Sequence, residues 1–501
     1  MIDAACYSNF LRSGGADPQV RSRPPGRLFG AVFRVRPKKT KWYWWPILIR
    51  SILLLVATQL AMAQGGPGVE GNWMGTLDTG STKLRLFLKV AKTAAGSLSA
   101  KMDSLDQGAK DMPVSSIAQT GMVLKFEMQR IGGAYVGRLN ADGSELSGNW
   151  HQSDATLPLV FRRTDKPPAL SRPQEPKKPY PYSEVEVTYE NKPGGAKLAG
   201  TLTLPPGFGP FPAVLLITGS GQQDRDEAIM GHRPFLVLAD HLTRKGIAVL
   251  RVDDRGIGGS TGEVKTATTE DFAGDVLAGV EFLKSRGKPI DPHKIGLIGH
   301  SEGGTIAPMV ATRSSDVAFI VMMAGTGVPG DEILMAQVAG LSKAAGVPAA
   351  AIARNLDLER QILDIVKQES DPKAREAGLR EWKDKSAPQM PAAQVQAVMT
   401  PWMRFFVTFD PATALGKVTC PVLAMNGERD LQVPPDLNLP AIEKALKAGG
   451  NHDYQIVKLP KLNHLFQTSQ TGAMDEYARI EETIAPGALE TMSTWILRHT
   501  Q

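Results

Sequence analysis

The chain has 501 residues, too many for one ordinary core, so two domains are expected. Its formal net charge of +6 arises from residues 1–63, which hold ten Lys/Arg against two acids and leave 47 basic and 49 acidic residues beyond. A near-neutral body argues against nucleic-acid binding, and a single cysteine beyond the leader, Cys420, excludes an internal disulfide framework.

The basic leader runs into the uncharged stretch Ser51–Ala63, which carries Ile52, Leu53, Leu54, Leu55 and Val56 and closes on Ala61-Met62-Ala63. That order of charge, apolar run and small-residue site predicts a signal peptide ending near Ala63, and hence an exported, periplasmic or secreted protein. Thirteen residues are too few to span a bilayer, so no stable membrane anchor is expected after cleavage. The charged region before the apolar run is unusually long, which an alternative start at Val35 would shorten.

Residues 64–165 read as an all-β accessory domain. Lys83–Val90 alternates, with Leu84, Leu86, Leu88 and Val90 on one face, and short runs recur at Ser97–Met102, Val123–Met128 and Tyr135–Leu139. Gly71-Asn72-Trp73 is echoed by Gly148-Asn149-Trp150, which predicts two Trp-bearing strands meeting as a small barrel or sandwich closes. No catalytic constellation is visible in it. Residues 166–181 hold six prolines and read as a semi-stiff linker.

From residue 182 onward strand and helix signals alternate. Glu184–Tyr189 and Lys197–Leu204 form a predicted hairpin. Ala213–Ile217, helix Arg233–Lys245, Ile247–Val252, helix Thr269–Ser285, Ile295–Ile298 and Ala318–Met323 follow. Nearly continuous apolar strands separated by helices predict a mostly parallel sheet covered on both faces. The next strand, Pro421–Asn426, comes about a hundred residues later, far beyond an ordinary connection. The interval is helical in pattern and aromatic near its end (Trp402, Phe405, Phe406, Phe409), which predicts a helical lid over about 331–415.

Gly299-His300-Ser301-Glu302-Gly303 follows the apolar run Ile295–Ile298 and precedes small residues fit to start a helix. A strand running into G-x-S-x-G and then a helix is the context of a nucleophile elbow, in which the turn is too tight for a Cβ two residues before or after the serine. Gly258-Gly259-Ser260-Thr261-Gly262 also matches, but lies in a Gly-rich loop with no strand directly before it, so Ser301 is the candidate nucleophile. A serine needs a base, and the base a carboxylate, in the chain order Ser, acid, His. His464 follows the strand Tyr454–Leu459 at the edge where Ser301 projects. His452 lies at the opposite edge and His499 near the terminus, where it is expected to be solvated. Asp430, after Pro421–Asn426, is the candidate acid, with Glu428 and then Asp436 in reserve. The oxyanion donors are expected to be the N–H of Glu302 and an N–H from the loop Thr218-Gly219-Ser220-Gly221, with Ser220 and Gly221 not separable. Asp224, Arg225 and Asp226 are expected to form a solvated charge cluster, and Arg255 to pair locally. No Cys/His cluster has metal-ligand spacing, and no dinucleotide fingerprint is in register.

Five segments together resemble the α/β-hydrolase superfamily, and within it bacterial carboxylesterases related to dienelactone hydrolases and acyl-peptidases. They are Thr218–Asp226, Asp254-Arg255-Gly256, Gly299–Gly304, Gly427-Glu428-Arg429-Asp430 and Asn463-His464-Leu465-Phe466. Members often carry histidine where Thr218 stands. The resemblance implies an α/β-hydrolase fold over 182–501 and cofactor-free hydrolysis of a small-molecule ester. It leaves open a peptidase or amidase, a non-catalytic binding scaffold, and the oligomeric state. It does not reach 64–165, which only loosely looks like a lipocalin-type domain.

Overall fold

The computed structural model describes residues 68–501 apart from 80–82, 108, 153–154, 167–170, 389 and 391. The basic leader, the apolar run and its cleavage signal lie outside the described residues, as do Pro167 and Pro168 of the expected linker. The chain divides into two compact units: one reaches Pro167, leaving out Leu105–Ala109, and the other spans Pro168–Gln501.

The first unit is one antiparallel sheet of nine strands. These are β1 (Gly71–Asp78), β2 (Lys83–Lys92), β3 (Leu98–Ser104), β4 (Ala109–Pro113), β5 (Ser116–Thr120), β6 (Val123–Met128), β7 (Gly133–Leu139), β8 (Glu145–Gln152) and β9 (Ala155–Arg163). Their order is β4-β3-β2-β1-β9-β8-β7-β6-β5, a half-barrel about one core of Trp73, Leu88, Met102, Phe126, Tyr135, Trp150 and Phe161. The period-two pattern has its usual cause: alternate side chains of β6 point inward, so Leu124, Phe126 and Met128 are buried while Lys125 and Glu127 are exposed.

The two Trp strands do not meet. β9 lies between them, pairing Trp73 with Arg163 on one side and Trp150 with Leu157 on the other. The sequence hides this strand because Pro158 interrupts it, and a proline cannot donate to a ladder. Leu159 and Phe161 nonetheless bury fully and fill the slot.

The second unit carries an eight-stranded sheet. Its strands are β10 (Ser183–Asn191), β11 (Ala196–Leu204), β12 (Phe211–Ile217), β13 (Ala248–Val252), β14 (Ile290–His300), β15 (Val317–Met323), β16 (Val422–Gly427) and β17 (Tyr454–Leu459). The order is β10-β11-β13-β12-β14-β15-β16-β17. β11 runs antiparallel to both neighbours, and from β13 to β17 every pairing is parallel. Both faces are covered, as the apolar strands demand. On β12, Ala213, Leu215 and Ile217 pack into one core and Val214 and Leu216 into the other. The first core takes helices α2 (Thr269–Ser285) and α3 (Glu302–Ala311), the second α1 (Pro234–Arg244).

Between β15 and β16 the chain forms α4 (Gly330–Ala344), α5 (Ala349–Gln368), α6 (Pro372–Ser386), α7 (Ala392–Val398), α8 (Pro401–Thr408) and α9 (Ala412–Leu415). Leu334, Ile362, Leu363, Val366, Leu379, Trp382, Met403 and Val407 give this insertion a core of its own. Phe405 and Phe409 pack instead against the sheet's core. After β16 come α10 (Pro435–Ala448), α11 (Met474–Tyr477) and α12 (Pro486–Thr500). The described part of the Pro-rich segment is not a free spacer: Arg172 donates to the carbonyls of Gly231, Ala478 and Ile480 at 3.0, 2.8 and 2.9 Å.

Candidate active site

Ser301 stands between the last residue of β14 and the first of α3, half-buried, with φ 54° and ψ −115°. Positive φ on a residue with a Cβ is strained and persists only where its surroundings enforce it. Here two close backbone approaches do so. A Cβ on Gly299 would lie 1.9 Å from the Gly303 carbonyl oxygen, and one on Gly303 2.2 Å from that of Ile217. Ser260 is occupied otherwise: its Oγ donates to the Asp253 carbonyl at 2.7 Å and accepts the Ala199 N–H at 2.8 Å.

The loops after β16 and β17 bring Asp430 and His464 together. His464 Nδ1 lies 2.8 Å from Asp430 Oδ2, both residues being 2% exposed. Asp430 Oδ1 accepts the N–H groups of Gln432 and Val433 at 2.8 and 2.9 Å, which fixes the carboxylate. An Nδ1–H donated to Asp430 leaves Nε2 with its lone pair, the tautomer a general base requires. The reserves are engaged elsewhere. Glu428 accepts the Lys461 N–H at 2.9 Å, and exposed Asp436 pairs with Lys458 at 2.8 Å. His452 is exposed. His499 is half-buried rather than solvated, because the Trp495 carbonyl lies 2.8 Å from Nδ1 and Asp453 3.3 Å from Nε2.

The loop after β12 is held by carboxyl groups. Gly219 N–H donates to Glu227 Oε1 at 2.7 Å, Gln223 N–H to Asp254 Oδ2 at 2.9 Å, and Thr218 Oγ1 to Asp254 Oδ1 at 2.7 Å. The Thr218 hydroxyl and two of the loop's N–H groups are thereby committed. Ser220 is half-buried and Gly221 exposed. Glu302 opens α3, so its N–H is among the first four that the helix itself cannot pair. Burial pushes the Asp254 carboxyl up to about 7, and it raises Glu302 as well.

Beside the elbow lies a small recess lined by Thr269, Glu302, Thr305, Phe405, Phe406 and Phe409. Glu302 Oε1 accepts from Thr269 Oγ1 at 2.6 Å and from Trp402 Nε1 at 2.7 Å, which ties α8 of the insertion to the elbow. The Trp402 ring stacks on Phe406 with centroids 5.2 Å apart.

Two expectations need correction. Arg225 and Asp226 are not a solvated cluster. Arg225 bonds Asp253 at 2.8 Å and Glu186 at 2.5 Å, and Asp226 pairs with buried Arg251. Arg255 pairs not within its turn but with Asp275 of α2 at 2.7 Å. In both cases the partners are distant in sequence: Glu186 on β10, Arg251 on β13, Asp253 just after it, and Asp275 on α2. Sequence reasoning also missed Glu227 and His300, which are taken up below.

Numbered along the unit, the sheet order is 1-2-4-3-5-6-7-8, and the strained serine turn follows its fifth strand. That arrangement defines an α/β-hydrolase. The chain belongs to the family described as X-Pro dipeptidyl-peptidase (S15 family), whose model matches residues 194–445, just over half of its length. A curated relative, Esterase EstD of Thermotoga maritima, is 29% identical over 288 residues, which are 57% of this chain and 61% of the relative. The chain thus spans about three-fifths of that relative's length. Among solved structures, the Pyrococcus furiosus esterase Pf2001 is 18% identical with a TM-score of 0.38, covering 64% of this chain and 90% of that one. The hypothetical protein PA2218 of Pseudomonas aeruginosa is 17% identical with a TM-score of 0.40, covering 67% and 100%.

Proposed function

We propose that this chain is a serine carboxylesterase that works through an acyl-enzyme. The observation that carries the reading is the buried 2.8 Å contact between His464 Nδ1 and Asp430 Oδ2, at the sheet edge where the strained Ser301 projects. Ser301 Oγ attacks the ester carbonyl carbon and His464 Nε2 takes its proton. The oxyanion is met by the Glu302 N–H and by that of Ser220 or Gly221. Collapse expels the alcohol, which leaves with the proton from His464, and water repeats the sequence on the acyl-enzyme to release the acid. The esterase name of the Thermotoga relative supports the class of substrate. The recess beside Glu302 is the candidate acyl pocket.

The basic leader and Ala61-Met62-Ala63 support export with cleavage near Ala63. The first unit is an accessory domain with no part in the chemistry.

A second reading, a peptidase or amidase, is favoured by the peptidase family to which the chain belongs. One experiment separates the two and tests the nucleophile. The mature chain is assayed on p-nitrophenyl acetate and butyrate and on aminoacyl-proline amides, alongside Ser301→Ala and Ser260→Ala. Ester turnover lost only with Ser301→Ala is the expected result. Faster cleavage of the amides would favour the peptidase, and turnover surviving in Ser301→Ala would overturn the assignment.

A further inference from the structure

One buried pair of titratable residues has no part in the steps above and touches the oxyanion loop, the elbow and the His464 loop. Glu227 and His300 are 3% and 4% exposed. His300 Nδ1 lies 2.9 Å from Glu227 Oε1, the same oxygen that accepts the Gly219 N–H at 2.7 Å. On the far side of the ring, His300 Nε2 lies 3.0 Å from the main-chain carbonyl oxygen of His464. The two imidazole rings are 4.8 Å apart. His300 is also the residue before Ser301, at the end of β14.

The proton inventory of this chain follows from valence. A carbonyl oxygen only accepts, so Nε2 of His300 carries a hydrogen. Glu227 Oε1 faces two nitrogens, one of them an amide N–H, so one further proton must lie between Glu227 and Nδ1. Burial opposes charge on His300, but the Glu227 carboxylate and its hydrogen bond, the His464 carbonyl and the charge of Asp430 together outweigh it. Its pKa is therefore raised above that of an ordinary imidazole. A buried, fully hydrogen-bonded ion pair adds little net stability but holds its partners in one geometry.

We propose that Glu227 and His300 are positioning residues that lock the oxyanion loop, the nucleophile elbow and the backbone of the His464 loop into one hydrogen-bonded unit. Glu227 grips the oxyanion loop at Gly219, next to the candidate donors Ser220 and Gly221. His300 grips the carbonyl of His464, whose ring must meet Ser301 Oγ. Positive φ at Glu227, 51°, fits a side chain whose placement matters more than its backbone comfort. The inference rests on the acyl-enzyme reading given above.

The test measures kcat and KM on p-nitrophenyl acetate for the full chain, Glu227→Gln, His300→Gln, the double variant and Ser301→Ala, with thermal melts of each. A glutamine at 227 cannot use one atom both to accept from Gly219 and to donate to Nδ1, so the chain of bonds breaks. Each single variant is expected to lose kcat by on the order of 10²-fold, the scale of a small misplacement of reacting groups, with KM little changed. The double variant should be no worse than the worse single, because one unit is being broken twice. Wild-type kcat in a folded single variant, losses that multiply in the double, or losses confined to KM would overturn the proposal. Turnover surviving in Ser301→Ala would instead remove the acyl-enzyme reading, whatever the other variants do. Should the variants not fold, proton NMR of Asp430→Asn decides the matter. One far-downfield imidazole N–H, that of His300, should remain after the His464 signal is lost, and its absence would overturn the pairing.

Discussion

Three carboxyl groups accept hydrogen bonds from parts of the candidate site: buried Glu227 and half-buried Asp254 from the loop after β12, and buried Glu302 from Thr269 and Trp402. Asp254 has a measurable consequence. Its folded pKa, about 7, lies above its ordinary value of 3.8. The folded state therefore holds a proton that the unfolded chain has already released. The associated stability is complete below about pH 4 and is lost as pH rises through about 7. Asp254→Asn, whose amide can donate to Thr218 and accept from Gln223, removes this slope. Melting temperatures of the two chains should diverge between pH 4 and pH 8 in the variant's favour, and a constant difference would refute the assignment. Asp430→Asn acts on another proton. Its amide N–H₂ facing Nδ1 forces the hydrogen of His464 onto Nε2, where it blocks the base, so kcat on p-nitrophenyl acetate should fall by about 10⁴-fold.

At the scale of elements, the strand–turn–helix from β14 to α3 is built by exclusion of Cβ atoms. Gly299→Ala would drive a methyl to 1.9 Å from a backbone oxygen that cannot move without displacing α3. A cost of about 3 kcal/mol, the upper end for overpacking, is expected as a lowered denaturation midpoint. The insertion reaches the elbow through α8. Trp402→Ala removes both the bond to Glu302 and the stack on Phe406, so it should change the preference between acetate and longer acyl chains while acetate turnover survives. An unchanged preference, measured across p-nitrophenyl esters, would remove α8 from the acyl pocket. The helices of this insertion were legible because their apolar residues recur at helical spacing. The contact of α8 with Glu302 was not, because a hundred residues separate Trp402 from its partner.

For the whole molecule, two units with separate hydrophobic cores are expected to fold independently. A chain beginning at Pro168 should keep the kcat of the full protein on p-nitrophenyl acetate, and calorimetry of the full protein should resolve two transitions. A single transition, or loss of turnover in the shortened chain, would tie the half-barrel to the hydrolase unit.

The parallel sheet and its helices were readable from residue order alone, since strands buried on both faces must be apolar throughout and the helices between them amphipathic. Ser301, Asp430 and His464 could be put forward as candidates because tight turns and strand ends leave local marks: glycines flanking the serine, and a carboxylate or imidazole just past an apolar run. The position of β9 between the tryptophan strands was decided only in three dimensions, as were the partners of Arg225 and Arg255 and the bond from Glu227 through His300 to His464. Each joins residues far apart in the chain through polar contacts whose donors and acceptors carry no periodicity, and only the packed fold brings them within 3 Å.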